Sequence, residues 1–131
     1  MALQPGLKGT SETIVDENNV AVKVGSGLLP VFATPMMVAL MENAACNAVA
    51  GHLEAGEGTV GIHMDVSHDS ATPIGMKVRA EVELTEVDGR ALTFNVAAYD
   101  EAGLIGKGVH KRFIIQDEKF MARTQKKLES K

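Results

Sequence analysis

The chain has 131 residues, with a hydrophobic content of 45% and a charged content of 23%. That suits one globular domain with a single moderate core, and excludes a disordered chain or two full domains. A formal charge of -4, a pI near 5.5 and only 4% aromatic residues argue against a nucleic-acid surface or an anionic-membrane surface. The single cysteine, Cys46, excludes an intramolecular disulfide and agrees with a reducing cytoplasm. Met1-Ala2-Leu3-Gln4-Pro5-Gly6 lacks a basic segment followed by an apolar run, so no signal peptide is expected.

In chain order, residues 9 to 15 read as a first strand, and Asp16-Glu17-Asn18-Asn19 as a polar turn. Val20 to Val24 alternates weakly and is expected to extend that strand or pair back on it. Gly25-Ser26-Gly27 and Pro30 mark a loop. A helix follows from Pro35 to near Leu53, with Thr34 as its expected N-cap and Pro35 at a position that needs no N–H. Beyond Gly56-Glu57-Gly58 the period changes to alternation. Val60, Ile62, Met64 and Val66 are expected on one strand face, with His68 on the same parity. In the next strand Val78, Ala80, Val82 and Leu84 face inward while Lys77, Arg79, Glu81 and Glu83 face solvent. Asp88-Gly89 signals a hairpin. Residues 91 to 99 and 104 to 115 give two more strands, and Asp117 is expected to cap a short final helix. The order is strand, helix, then four antiparallel strands in a meander, in one domain over residues 1–131. One side of the helix would stay uncovered, so a homodimer is expected.

Two motifs fail on context. Gly56-Glu57-Gly58-Thr59-Val60-Gly61 spells the dinucleotide fingerprint but follows a helix and opens a strand, the reverse of what pyrophosphate binding needs. His63 and Asp65 would share a strand face that His68 does not, which argues against a metal site.

The run from Thr34 to Ala50 is apolar on nearly every face and carries one charge, Glu42. A buried carboxylate is costly unless paired, hydrogen-bonded or used. Glu42 reads either as a structural partner of a buried Arg or as a base. Thr34 reads as a cap, a reactive hydroxyl, or both. His68 closes the inward strand row, either as a satisfied core histidine or as a proton carrier. Cys46 reads as a small core residue. His110 and Arg112 share a parity with Gly106 and Gly108, forming either a surface face or a side-chain-free strip open to substrate.

Several stretches together resemble the hotdog-fold thioesterases, in particular the branch that includes fluoroacetyl-CoA thioesterase. They are Val31-Phe32-Ala33-Thr34, Leu40-Met41-Glu42, Leu53-Glu54-Ala55-Gly56-Glu57-Gly58, Val66-Ser67-His68 with Ala71-Thr72-Pro73, Ile105 through Arg112, and Glu118-Lys119-Phe120. The similarity runs from about residue 31 to 125. It implies an α+β hotdog fold, a curved antiparallel sheet wrapped round a central buried helix. It also implies hydrolysis of an acyl-CoA thioester, with Thr34, Glu42 and His68 as catalytic residues and Gly61, Arg112 and Phe32 at the substrate. No metal or cofactor is implied, since CoA enters with the substrate. The segment Val20 to Val31 is short and lacks the aromatics of the fluoroacetyl enzyme's lid, so the implied substrate is a small or medium acyl-CoA. Eight residues of helix separate Thr34 from Glu42 by roughly 12 Å, so a site shared between two chains is expected. A non-catalytic acyl-CoA binder and a dehydratase on acyl thioesters are the competing readings.

Overall fold

The alternation at Val78, Ala80, Val82 and Leu84 is realised in the computed structural model of the protein, which describes residues 3–130. These four side chains are at most 4% exposed. They form the inward row of β3 (Lys77–Asp88) in a five-stranded antiparallel sheet with β1 (Lys8–Ile14), β2 (Glu57–Val66), β4 (Ala91–Asp100) and β5 (Gly103–Gln116). The Asp88-Gly89 signal becomes the β3–β4 hairpin, with Gly89 at φ 61° and Asp88 paired to Ala91.

The four-strand meander needs correction. The spatial order is β1-β3-β4-β5-β2, so only β3, β4 and β5 follow one another as hairpins. β2 pairs with β5 and β1 with β3, because the helix intervening between β1 and β2 carries the chain across the sheet.

That helix, α2 (Thr34–Val49), buries Met37, Leu40, Met41, Ala44, Ala45, Ala48 and Val49 against the sheet. Each large side chain so enclosed contributes about 1.5–3 kcal/mol. It packs closely on β1 because Gly9 has no side chain; a Cβ there would strike the carbonyl oxygen of Ala44 and lie 2.7 Å from the amide nitrogen of Ala48. Asn47 Nδ2 donates to the carbonyl of Thr10 at 2.8 Å and Ser11 Oγ to Asn43 Oδ1 at 2.7 Å, tying the same strand to the helix. The helix stops at Val49 rather than near Leu53. It is also not buried all round: Pro35, Ala39, Asn43 and Asn47 are exposed, and Val38, Glu42 and Cys46 are half-buried along the same stripe. Cys46 therefore lies at the margin of the core.

Three local expectations change. Val20–Val24 is not a strand continuation. Val20 makes an isolated bridge to Phe32, and Ala21–Val24 forms a one-turn helix, α1, ended by Gly25 at φ 84°. Ala33, not Thr34, is the N-cap residue of α2, and Thr34 is the first helical residue. Likewise Gln116 precedes α3 (Asp117–Gln125), so Asp117 sits inside the first turn, where its charge still suits the helix dipole.

The most consequential correction is in β2. A bulge at Ile62 interrupts its pairing with β5: Gly61 opposes Arg112, His63 opposes Lys111, and Ile62 is the extra residue. One inserted residue reverses the inward parity. Thr59 and Gly61 share the inward face with Ile114 and Arg112 before the bulge, whereas Met64 shares it with His110 beyond. Val60 consequently faces the other way, beside Phe113, and Ile62 is 55% exposed. No helix among the described residues is long and apolar enough to cross a membrane.

Candidate active site

Two clusters form at separate points along α2. The first surrounds Thr34. Val20 bridges Phe32, Val31 bridges Pro73, and the Phe32 amide donates to the Thr72 carbonyl at 2.9 Å. These contacts bring the segment entering α2 alongside the chain that leaves β2. That chain is held to β5 by Ser67 N to Lys107 O at 2.9 Å and Asp69 N to Ile105 O at 2.6 Å. His68, between these anchors, places Nδ1 2.7 Å from Thr34 Oγ1. Because Ala33 occupies the cap position, the Thr34 hydroxyl is free for this bond.

The pair opens on a cavity of about 240 Å³ whose lining includes Ala21, Val31, Phe32, Thr34, His68 and Asp69. Burial lowers the His68 pKa below its ordinary value, opposed by the charge of Asp69 and by a backbone bond at Ser70. A neutral imidazole can accept a proton from the Thr34 hydroxyl, which is the first step of nucleophile or water activation. Its Nε2 is enclosed and has no hydrogen-bond partner among the described residues.

The second cluster surrounds Glu42. Arg112, 6% exposed, aims Nη1 at Glu42 Oε2 across 3.9 Å. Its guanidinium donates from Nε to Thr59 Oγ1 at 2.8 Å and from Nη2 to the Thr59 carbonyl at 3.0 Å. Nη1 is 3.0 Å from His110 Nε2. Gly61 completes the cluster, since a Cβ on it would stand 2.9 Å from Glu42 Oε2 and 3.4 Å from Arg112 Nη1. A fixed cation beside a carboxylate attracts it and holds it in place.

Of the expected site residues, then, the structure brings Thr34 to His68 with Phe32 on the cavity wall, and Glu42 to Arg112 and Gly61. It does not bring Glu42 to Thr34, because both lie on one continuous helix two turns apart. Glu42 is also less buried than the apolar run suggests, its side chain being 42% exposed in a single protomer. Arg112 and His110 do not lie on a surface face. The glycines sharing their parity do not form an open strip either: a Cβ on Gly106 would strike the Ser67 carbonyl and one on Gly108 the Asp65 carbonyl, so backbone fills that space. Thr59 was not anticipated; the apolar pattern of β2 hid the bulge that turns it inward. Among the described residues, no three His, Cys, Asp or Glu side chains cluster as a metal site would require.

Known proteins of the same fold resemble the chain over most of its length. A family model described as fluoroacetyl-CoA-specific thioesterase matches residues 15–118. The fluoroacetyl-CoA thioesterase of Streptantibioticus cattleyicolor is 46% identical over 97 residues, covering 74% of this chain and 70% of that one. A solved structure of a fluoroacetyl-CoA thioesterase superposes with a TM-score of 0.91 at 36% identity, over 97% of this chain and 98% of that one. A phenylalanine-to-alanine variant of such an enzyme, bound to fluoroacetate and CoA, gives a TM-score of 0.85 at 37% identity over 90% and 99% of the two chains. A thioesterase superfamily member from Thermus thermophilus gives 0.87 at 28% identity over 98% and 97%.

Proposed function

The chain belongs to the fluoroacetyl-CoA-specific thioesterase family and is an acyl-CoA thioester hydrolase of hotdog fold; we propose that it acts on small or medium acyl groups, at a site completed by a second copy of itself. Thr34, Glu42 and His68 are its catalytic residues in this reading, with Gly61, Arg112 and Phe32 at the acyl group. The observation that carries it is the 2.7 Å bond from the Thr34 hydroxyl to His68 at the mouth of a cavity.

His68 takes the proton of the Thr34 hydroxyl, or of a water which that hydroxyl orients, as the oxygen attacks the thioester carbonyl. The carbon–sulfur bond then breaks, and CoA leaves as the thiol with the proton His68 returns. Where water attacks directly, the acid is formed in this step. Where Thr34 attacks, a water deprotonated by His68 adds to the resulting Thr34 ester, whose carbon–oxygen bond breaks to release the acid and restore the hydroxyl. Glu42, held by Arg112, supplies the carboxylate that orients water or stabilises charge at the reacting carbon. Because the helix keeps Glu42 about 12 Å from its own Thr34, the partner subunit's Glu42 serves this Thr34. The half-buried stripe Val38, Glu42 and Cys46 and the exposed Ile62 on the outer strand β2 support such an interface, one that would cover apolar surface and bring two helices together. A further pairing of dimers into a tetramer is compatible with it. The segment from residue 20 to 31 holds no aromatic and carries the exposed Leu28 and Leu29, which favours an aliphatic acyl group. The reading calls for no cofactor, places the enzyme in the cytoplasm, and involves no nucleic acid or membrane.

Free-thiol release from acyl-CoAs of increasing chain length tests it. Turnover on short or medium chains is expected, falling at least 10²-fold, on the order of a general base's contribution, in Thr34→Ala, His68→Ala and Glu42→Ala. CoA-dependent thermal stabilisation without turnover on any chain would instead mark a binder, and an enoyl thioester product a dehydratase.

A further inference from the structure

His110 is 1% exposed, enclosed by groups from four elements. The Phe94 ring of β4 stacks on it at 6.3 Å between centroids. From β2, the His63 carbonyl lies 2.8 Å from its Nδ1. Arg112, two residues along β5, lies 3.0 Å from its Nε2. Glu42 of α2 meets the same ring across the space that Gly61 leaves empty: a Cβ on Gly61 would be 3.2 Å from His110 Cε1 and 2.9 Å from Glu42 Oε2.

Those two hydrogen bonds determine the protonation of the ring. A carbonyl only accepts, so Nδ1 carries the hydrogen. A guanidinium only donates, so Nε2 presents a lone pair. His110 is therefore a neutral imidazole in the Nδ1–H tautomer. Burial, its largest influence, favours the same uncharged form, as does the charge of Arg112, against the opposing pull of the His63 carbonyl and Glu42. The bond from Arg112 is the third clamp on its guanidinium, beside the two from Thr59, and it holds Nη1, the nitrogen that faces Glu42.

We propose that His110 is a positioning residue for hydrolysis: its Nε2 lone pair, kept free by the Nδ1–H bond to the His63 carbonyl, aims Arg112 Nη1 at the Glu42 carboxylate. This rests on the reading that Glu42 and Arg112 serve the thioesterase site. His110 touches no reacting atom; it acts through Arg112. The arrangement also explains why a polar ring occupies a place beside Phe94 where a second apolar ring would fit the core.

The experiment compares kcat and KM for the wild type, His110→Phe, His110→Gln, Arg112→Lys and the double variant His110→Phe/Arg112→Lys, each checked by thermal unfolding. His110→Phe keeps the ring and loses the lone pair, and kcat is expected to fall roughly tenfold, the size of a sub-ångström misplacement. His110→Gln restores an acceptor oxygen and is expected to recover most of that loss. The double variant is expected to be no slower than Arg112→Lys alone, since the two residues act in series. Multiplied losses in the double variant, or a His110→Phe enzyme at wild-type rate, would overturn the inference while leaving the thioesterase reading in place. An Arg112→Lys enzyme at wild-type rate would overturn the assignment of Arg112 to the site, and this inference with it. Nitrogen-15 NMR of histidine-labelled wild-type protein needs no variant to fold: an Nδ1–H, neutral His110 near pH 7 supports the proposal, and a protonated Nε2 refutes it.

Discussion

Replacing Gly61 with alanine perturbs the Glu42 cluster by a single methyl. Gly61 does not adopt a positive φ, so its backbone accepts alanine without strain. The added Cβ would sit 2.9 Å from Glu42 Oε2, 3.2 Å from His110 Cε1 and 3.4 Å from Arg112 Nη1. His110 and Arg112 cannot give way easily, being fixed by the His63 carbonyl, by Thr59 and by each other. Glu42 can, because its side chain is partly exposed and its contact with Arg112 is a long one. Restoring ordinary contact moves the carboxylate by roughly 0.5 Å; if about 1 Å costs about 10²-fold, half of that costs about tenfold in kcat, near 1.4 kcal/mol. Stability is expected to change by less than about 1 kcal/mol, since the loss of backbone freedom in the unfolded chain offsets mild crowding. Steady-state thiol release beside urea unfolding measures both. A wild-type kcat would refute the placement of Glu42 against Gly61, and a large stability loss would show that the clamped side chains, not Glu42, absorb the methyl.

Gly9→Ala behaves oppositely: its methyl meets the backbone of α2 at Ala44 and Ala48, so a loss of about 3 kcal/mol is expected in urea unfolding. Thr59→Val keeps the shape but strands the Arg112 Nε–H, which is expected to cost about 2 kcal/mol in the same measurement. His68 and His110 both have folded pKa values lowered by burial. The unfolded chain therefore takes up protons first on acidification, and stability, full above about pH 6.5, should decline as pH falls through that value toward the lowered folded ones. Unfolding free energies at pH 8, 7, 6 and 5.5 check the sign, and a rise on acidification would contradict it. The kcat profile should lose activity over the acid side of the same window as His68 becomes protonated.

Local signals carried over where neighbours in sequence decide the structure. The β3 alternation, the Asp88-Gly89 hairpin and the Pro30-to-Pro35 entry to α2 all depend on a few adjacent residues. Failures arose where distant segments decide. The pairing of β2 with β5 leaves no local mark, so the sheet order was not readable. Val60, Ile62, Met64 and Val66 are apolar with or without a bulge, so the parity reversal that turns Thr59 and Gly61 toward Arg112 was invisible. Thr34 before Pro35 satisfies the pattern of a cap, yet the cap position falls one residue earlier, in a segment held by distant contacts such as the bridges from Val20 to Phe32 and from Val31 to Pro73. Family resemblance, not local pattern, singles out Thr34, Glu42 and His68 as the proposed set. Its division into two clusters on one protomer followed from helix rise alone.

Mixing two inactive variants, Thr34→Ala and Glu42→Ala, tests the shared site most directly. Each homodimer lacks one essential group at both of its sites. After subunit exchange, a heterodimer with composite sites has one intact site, holding Thr34 from one chain and Glu42 from the other. Random reassortment makes half the dimers mixed, so about a quarter of wild-type turnover is expected to return. No recovery, with exchange confirmed by a mass tag on one variant, would mean that Thr34 and Glu42 act within a single chain, and would contradict the composite site.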